Sequence, residues 1–180
     1  ENKFVWRTVE SDIALTEKMI LSAWASNADK VALLTTFSLY GSTFFDWFGF
    51  LAVEVGYPTD DIHVGRYASE GANPDTDCIA PVDELLANAP DVLFAVAESP
   101  EQIGCIVQAV NNYNATHGTS VRLSFTGKGY RADVLAGLGA LAEGVEGMAP
   151  MPPSDNGFNL EYQLRNPGND LPPYAANLYD

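Results

Sequence analysis

The chain has 180 residues, 47% of them apolar and 18% charged, which suits one globular domain with a sizeable core and excludes a disordered segment. Nine Lys and Arg against 24 Asp and Glu give a formal net charge of -15, a field that repels nucleic-acid phosphates and anionic membrane surfaces. No apolar run approaches the roughly 20 residues of a membrane span, and the opening Glu1-Asn2-Lys3 reads as a processed or trimmed start.

Phe4 to Arg7 reads as a short strand. Ser11-Asp12 offers an N-cap for a helix from about Ile13 to Ala25, whose Ile13, Met19, Ile20, Ala23 and Trp24 recur at helical spacing. Val31 to Leu34 is a continuous apolar run, the signature of a strand buried on both faces. Gly41-Ser42 opens the next helix, which carries Phe44, Phe45, Trp47, Phe48, Leu51, Ala52 and Val55 and stops before Gly56 and Pro58. Ile62 to Tyr67 alternates as a strand, and Ala68 to Thr76 is a loop rich in Gly, Asn and Pro. Asp77 caps a helix to about Ala87, and Asp91 to Val96 is a second buried strand. Ser99 and Pro100 start a helix that runs to about Tyr113. A strand at Val121 to Phe125, a helix from Arg131 to Leu141 and a strand at Val145 to Ala149 follow. From Pro150 to Pro173 the chain is irregular and rich in Pro, Asn and Gly, with a short helix near Leu160. Tyr174 to Tyr179 looks helical.

This alternation predicts a single α/β lobe over residues 1–180, a three-layer α/β/α sandwich around a mainly parallel sheet. Ligands of such sheets bind beyond the carboxyl ends of the strands. That rule selects Thr35 to Tyr40, Tyr67 to Ser69, Ala97 to Ser99 and Thr126 to Tyr130, and with them Ser38 and Ser99 as candidate contacts. Glu98 follows a buried strand and precedes a helix. It either faces a ligand or simply favours the helix dipole.

No motif marks catalysis. Thr126-Gly127-Lys128-Gly129 lacks the spacing of a phosphate loop, and no G-x-S-x-G elbow is present. His63 and His117 have no second His or Cys at ligand spacing, so no metal site and no cofactor is expected. The two cysteines, Cys78 and Cys105, are either a disulfide or two buried thiols.

Phe4-Val5-Trp6-Arg7-Thr8-Val9-Glu10-Ser11-Asp12 resembles the segment of type I periplasmic solute-binding proteins that crosses from the first lobe into the second. Lys30 to Leu34 with Tyr40-Gly41, Pro90 to Ala95 with Ser99-Pro100-Glu101, and Ala142 to Gly147 resemble successive elements of that second lobe. Pro173 to Asp180 resembles the stretch that returns to the hinge. Branched-chain amino acid binding proteins and related receptor ectodomains are the most similar group.

The resemblance implies capture of a small polar or anionic solute, such as an amino acid, between two lobes. It implies an exported protein, periplasmic or extracellular, working with a membrane permease or a sensor. It puts hinge residues at Arg7, Thr8 and Tyr174, and ligand contacts at Tyr40, Glu98 and Lys128. Amino acid binders carry an acid for the ligand ammonium where this chain has Lys128, so Lys128 is expected to pair with an acidic group of the ligand, or with Glu98. The first lobe is absent, so this chain alone is expected to bind solute weakly, and its cleft face is free to pair with another copy. A sensing ectodomain and a small hydrolase-like enzyme are the alternative functions.

Overall fold

In the computed structural model the described residues are 11–68, 73, 77–126, 132–148, 161–162 and 164–168. They divide into one unit over Asp12–Met148 and another that joins Glu1–Ser11 with Ala149–Asp180. Strand and helix alternate through the first unit: α1 (Asp12–Ala25), β1 (Val31–Thr36), α2 (Leu39–Val55), β2 (Ile62–Tyr67), α3 (Ile79–Leu86), β3 (Val92–Ala95), α4 (Pro100–His117), β4 (Arg122–Phe125), α5 (Ala132–Leu138) and β5 (Glu146–Gly147). The strands form one sheet in the order β2-β1-β3-β4-β5, and every neighbouring pair is parallel.

The apolar runs work as expected of central strands. Successive side chains of a strand point to opposite faces, so a run that is apolar throughout feeds two cores. Val31, Leu33, Val92, Phe94 and Val96 join the core under α1 and α2, with Met19, Ile20, Phe44, Phe48 and Ala52. Ala32, Leu34, Leu93, Ala95 and Ala97 join the core under α3, α4 and α5, with Val82, Leu86, Ile103, Ile106 and Val134. The result is the three-layer sandwich, with helices on both faces of the sheet. Each fully buried Leu or Phe contributes roughly 1.5–3 kcal/mol of transfer free energy.

Element ends differ from the sequence reading for local reasons. Helix α2 starts two residues before Gly41, because the Ser38 side chain accepts from the Gly41 N–H and caps it. Helix α3 starts at Ile79 and not beside Asp77, and Cys78 at its head makes no side-chain cap bond. Cys78 and Cys105 are instead joined by a disulfide that ties the start of α3 to α4. A loop closed over a separation of 27 residues stabilises the fold by about 3 kcal/mol in the chain-entropy account. Helix α4 runs one turn past Tyr113 and stops where Gly118 turns left-handed, at φ 65°. Helix α5 gives way at Gly139, φ 54°, to a 3-10 turn over Gly139–Ala142. The strand expected at Phe4 to Arg7 and the helix expected at Tyr174 to Tyr179 lie outside the described residues. In the second unit, residues 161–162 and 164–165 are helical, near the short helix expected at Leu160, and Arg165 pairs with Glu161 one turn away.

The amino ends of the strands are held by Asp91, whose Oδ2 accepts from the N–H groups of Asp29 and Lys30 at 2.8 and 2.9 Å. Tyr57 packs edge-on against Trp24, with ring centroids 5.1 Å apart. Its hydroxyl is buried and has no hydrogen-bond partner among the described residues. Burial, then the Asp91 carboxylate, raise the Tyr57 phenol above its ordinary range, while Arg122 opposes them. The group therefore stays neutral and carries an uncompensated desolvation cost. Tyr57→Phe removes that cost, and chemical denaturation is expected to show a gain of about 1 kcal/mol with an unchanged m-value.

Candidate functional site

From β1 the chain goes through α2 to β2 on one side, and from β3 it goes through α4 to β4 on the other. The strand order therefore reverses between β1 and β3. In open α/β sheets the carboxyl ends of the strands at such a point form the ligand crevice. The residues that leave β1 and β3 here are polar, and they meet.

Thr36, the last residue of β1, donates its hydroxyl to Glu98 Oε1 at 2.7 Å. Its Oγ1 also lies 2.9 Å from Ser38 Oγ. Thr36 has one hydroxyl proton and gives it to the carboxylate, so Ser38 is the donor to Thr36. Ser38 in turn accepts from the Gly41 N–H at 3.0 Å. Glu98, Thr36, Ser38 and the first turn of α2 thus form one chain of hydrogen bonds. Tyr40 packs its ring on Phe44 at 5.1 Å and directs its hydroxyl to Thr126 Oγ1, 3.4 Å away at the end of β4. That bond carries the same edge across to the fourth strand.

Ser99 caps α4 through a reciprocal pair with Gln102, the third residue of the helix. The Ser99 hydroxyl accepts from the Gln102 N–H at 3.3 Å, and Gln102 Oε1 accepts from the N–H groups of Ser99 and Glu98 at 3.3 and 2.7 Å. Buried Tyr67, at the end of β2, donates to the Val96 carbonyl at 3.0 Å and approaches Gln102 Oε1 at 3.4 Å. Burial, then the Glu98 carboxylate, push the Tyr67 phenol far above its ordinary range, so it acts only as a neutral donor.

Glycine at position 41 is a packing requirement. A Cβ there would lie 2.3 Å from Thr36 Oγ1 and 2.4 Å from the Thr36 carbonyl oxygen. The absence of a side chain lets α2 begin against the very end of β1. Arg66 closes the outer side of this junction. Its Nε and Nη2 donate to the Thr36 carbonyl at 3.2 and 3.0 Å, and Nη2 reaches Ser42 Oγ at 2.8 Å. Its guanidinium lies 4.5 Å from the Phe37 ring centroid and 4.7 Å from that of Phe45.

Four of the residues expected at the site, Ser38, Tyr40, Glu98 and Ser99, thus sit on one edge of the sheet. Lys128, Arg7, Thr8 and Tyr174 lie outside the described residues. Thr36 and Tyr67 fall within the strand-end segments selected from the sequence, without a role of their own, whereas Gln102 and Arg66 lie outside them. Gln102 had a visible signal, since Ser99-Pro100-Glu101-Gln102 has the spacing of a capping box. Arg66 had none, because its partners come from distant turns. Among the described residues no group of three or more His, Cys, Asp or Glu is placed to hold a metal ion. No described helix is long and apolar enough to cross a membrane.

No family model matches the chain, and no curated protein does. Solved structures match it over nearly its whole length. An extracellular ligand-binding receptor from Rhodopseudomonas palustris HaA2 superposes with a TM-score of 0.69 at 18% identity, over 96% of this chain and 48% of the other. A periplasmic binding protein type 1 from Bordetella pertussis Tohama I gives 0.64 at 18% identity, over 93% and 44%. The fold is one lobe of a type I periplasmic binding protein. A third match is the solute-binding protein of an ABC transporter from Rhodopseudomonas palustris BisB5, in complex with 3,4-dihydroxybenzoic acid, at TM-score 0.64 and 18% identity over 89% and 43%. The chain spans about half the length of these type I proteins.

Two substitutions test the construction of the lobe's edge. Gly41→Ala forces α2 away from Thr36 and is expected to destabilise by about 2–3 kcal/mol, with the loss visible in both chemical and thermal unfolding. Gln102→Ala strands the N–H groups of Glu98 and Ser99 and is expected to cost about 2 kcal/mol. Gln102→Glu, which keeps the capping geometry, separates loss of the cap from introduction of a charge.

Proposed function

We propose that this chain forms one wall of the solute cleft of an extracytoplasmic binding protein, delivering an amino acid or a related small polar or anionic solute to an ABC transporter. The observation that carries this reading is the hydrogen-bonded group of Thr36, Ser38 and Glu98 where the strand order reverses. It is held in place by two helix caps and lies at the edge where sheets of this kind receive ligands. The group presents a carboxylate and hydroxyls of the kind that orient a polar solute.

In this reading Glu98 uses Oε1 on Thr36 and offers Oε2 to a donor group of the solute. Ser38, Tyr40 and Ser99 add hydroxyl contacts, and Lys128 pairs with an acidic group of the solute. Residues around Arg7, Thr8 and Tyr174 form the hinge to a second lobe, and closure of the two lobes buries the solute. A structural neighbour holding 3,4-dihydroxybenzoic acid supports including aromatic acids among the candidates. The receptor-type neighbour supports a sensing ectodomain as the second reading, with the same cleft. The disulfide fits an oxidising, extracytoplasmic compartment.

Isothermal calorimetry of the longer, two-lobed gene product against amino acids and hydroxybenzoates tests the proposal. At least one member should bind, and Lys128→Ala and Glu98→Gln should each weaken it about tenfold or more. This chain alone should give little heat with the same solute. Absence of binding by the two-lobed protein across both classes would overturn the solute-binding reading. Unchanged affinity in both variants would overturn the site assignment.

A further inference from the structure

The hydrogen bonds that join Glu98 to α2 have a direction. The Gly41 N–H donates to Ser38 Oγ at 3.0 Å, the Ser38 hydroxyl donates to Thr36 Oγ1 at 2.9 Å, and the Thr36 hydroxyl donates to Glu98 Oε1 at 2.7 Å. Each hydroxyl accepts from one neighbour and donates to the next, and every proton points toward the carboxylate. Bonds aligned in this way polarise one another, and a carboxylate at the end strengthens the series. The other end of the series is the first turn of α2, the positive end of the helix dipole.

Bonds from outside the series anchor both of its ends. Thr35 donates its hydroxyl to the Gly41 carbonyl at 2.8 Å, and Gln102 Oε1 accepts from the Glu98 N–H at 2.7 Å. Arg66 holds the Thr36 carbonyl. The Thr36 hydroxyl is the link between the two anchored ends, and Thr36 is 0% exposed. A solute at this edge therefore meets Glu98 and not Thr36.

We propose that Thr36 is a positioning residue, which fixes the Glu98 carboxylate for a solute and couples its engagement to the cap of α2. The solute rests on the function proposed above, whereas the coupling rests on the hydrogen bonds alone. A solute donor on Oε2 draws charge from the carboxylate, Oε1 becomes a weaker acceptor, and the bonds behind it weaken in turn. The cap of α2 loosens, while Thr35 keeps the start of the helix in place. The first turn of α2 thus senses what Glu98 holds. Two unconnected local bonds would behave otherwise, since loss of one would leave the other intact.

Amide hydrogen exchange at Gly41, followed by NMR in the 180-residue chain without solute, tests the coupling, with the amides of β3 as the reference for global unfolding. Glu98→Gln and Thr36→Val should each speed Gly41 exchange roughly three- to tenfold relative to β3. Thr36→Ser should keep the parent rate. The double variant should go no further than the faster single variant, because one series is broken either way. The Gln102 N–H, capped by Ser99 on α4, should not change. Glu98 is only partly buried, so Glu98→Gln decides the outcome should Thr36→Val fold poorly. Gly41 exchange at the parent rate in Glu98→Gln, or single effects that multiply in the double variant, would refute the coupling. In the two-lobed gene product, calorimetry uses the amino acid or hydroxybenzoate that gives the largest heat. Thr36→Val should weaken its binding roughly threefold or more, Thr36→Ser should restore it, and Thr36→Val should add nothing to Glu98→Gln. Parent affinity in Thr36→Val removes the positioning role. No heat with any of these solutes refutes the solute-binding reading instead, and the exchange rates still decide the coupling.

Discussion

The central strands β1 and β3 are buried on both faces, and the rest of the lobe follows from that. A strand with two dry faces needs a helix layer on each, and it offers no surface for a ligand along its length. Chemistry is confined to the strand ends. The amino ends are tied by backbone bonds and the Asp91 carboxylate. The carboxyl ends carry the hydroxyls, the carboxylate and the helix caps. The division between a tied end and a polar end is thus already present in the topology of the sheet.

The polar end is ordered by residues that also do structural work. Ser38 caps α2 and donates to Thr36. Ser99 and Gln102 cap α4 and fix the backbone of Glu98. Tyr67 and Arg66 fasten β2 and β1 to the turns above them. Under the proposed function, the described side chains held by these bonds would lose little ordering entropy to a bound solute. The same sharing means that a substitution at Ser38 or Ser99 would disturb the helix caps along with this edge.

Much of the fold was legible because two-sided burial leaves a plain trace. Val31 to Leu34 and Asp91 to Val96 read as central strands of a parallel sheet, and Ser99-Pro100 as the opening of a helix. The start of α2 was less legible, since Gly41-Ser42 looks like a helix opening until the Ser38 side chain is seen to reach Gly41. The cap of α3 misled because Asp77 is a good capping residue, while the helix begins at Ile79 behind the bonded Cys78, with no side-chain cap. At the site, Glu98 and Ser38 could be placed from strand ends alone. The Thr36 bond to Glu98 joins residues far apart in the chain, and no local pattern announces it.

The bond between Cys78 and Cys105 has a consequence for how the molecule is made. Within these 180 residues the two cysteines allow one intramolecular pairing. The partners are brought together by α3 and α4, elements whose contacts are close in sequence and quick to form. Closure of the bond then records that these two helices have met. A cysteine of a neighbouring molecule is a competing partner, and the repulsion between strongly acidic chains works against that encounter.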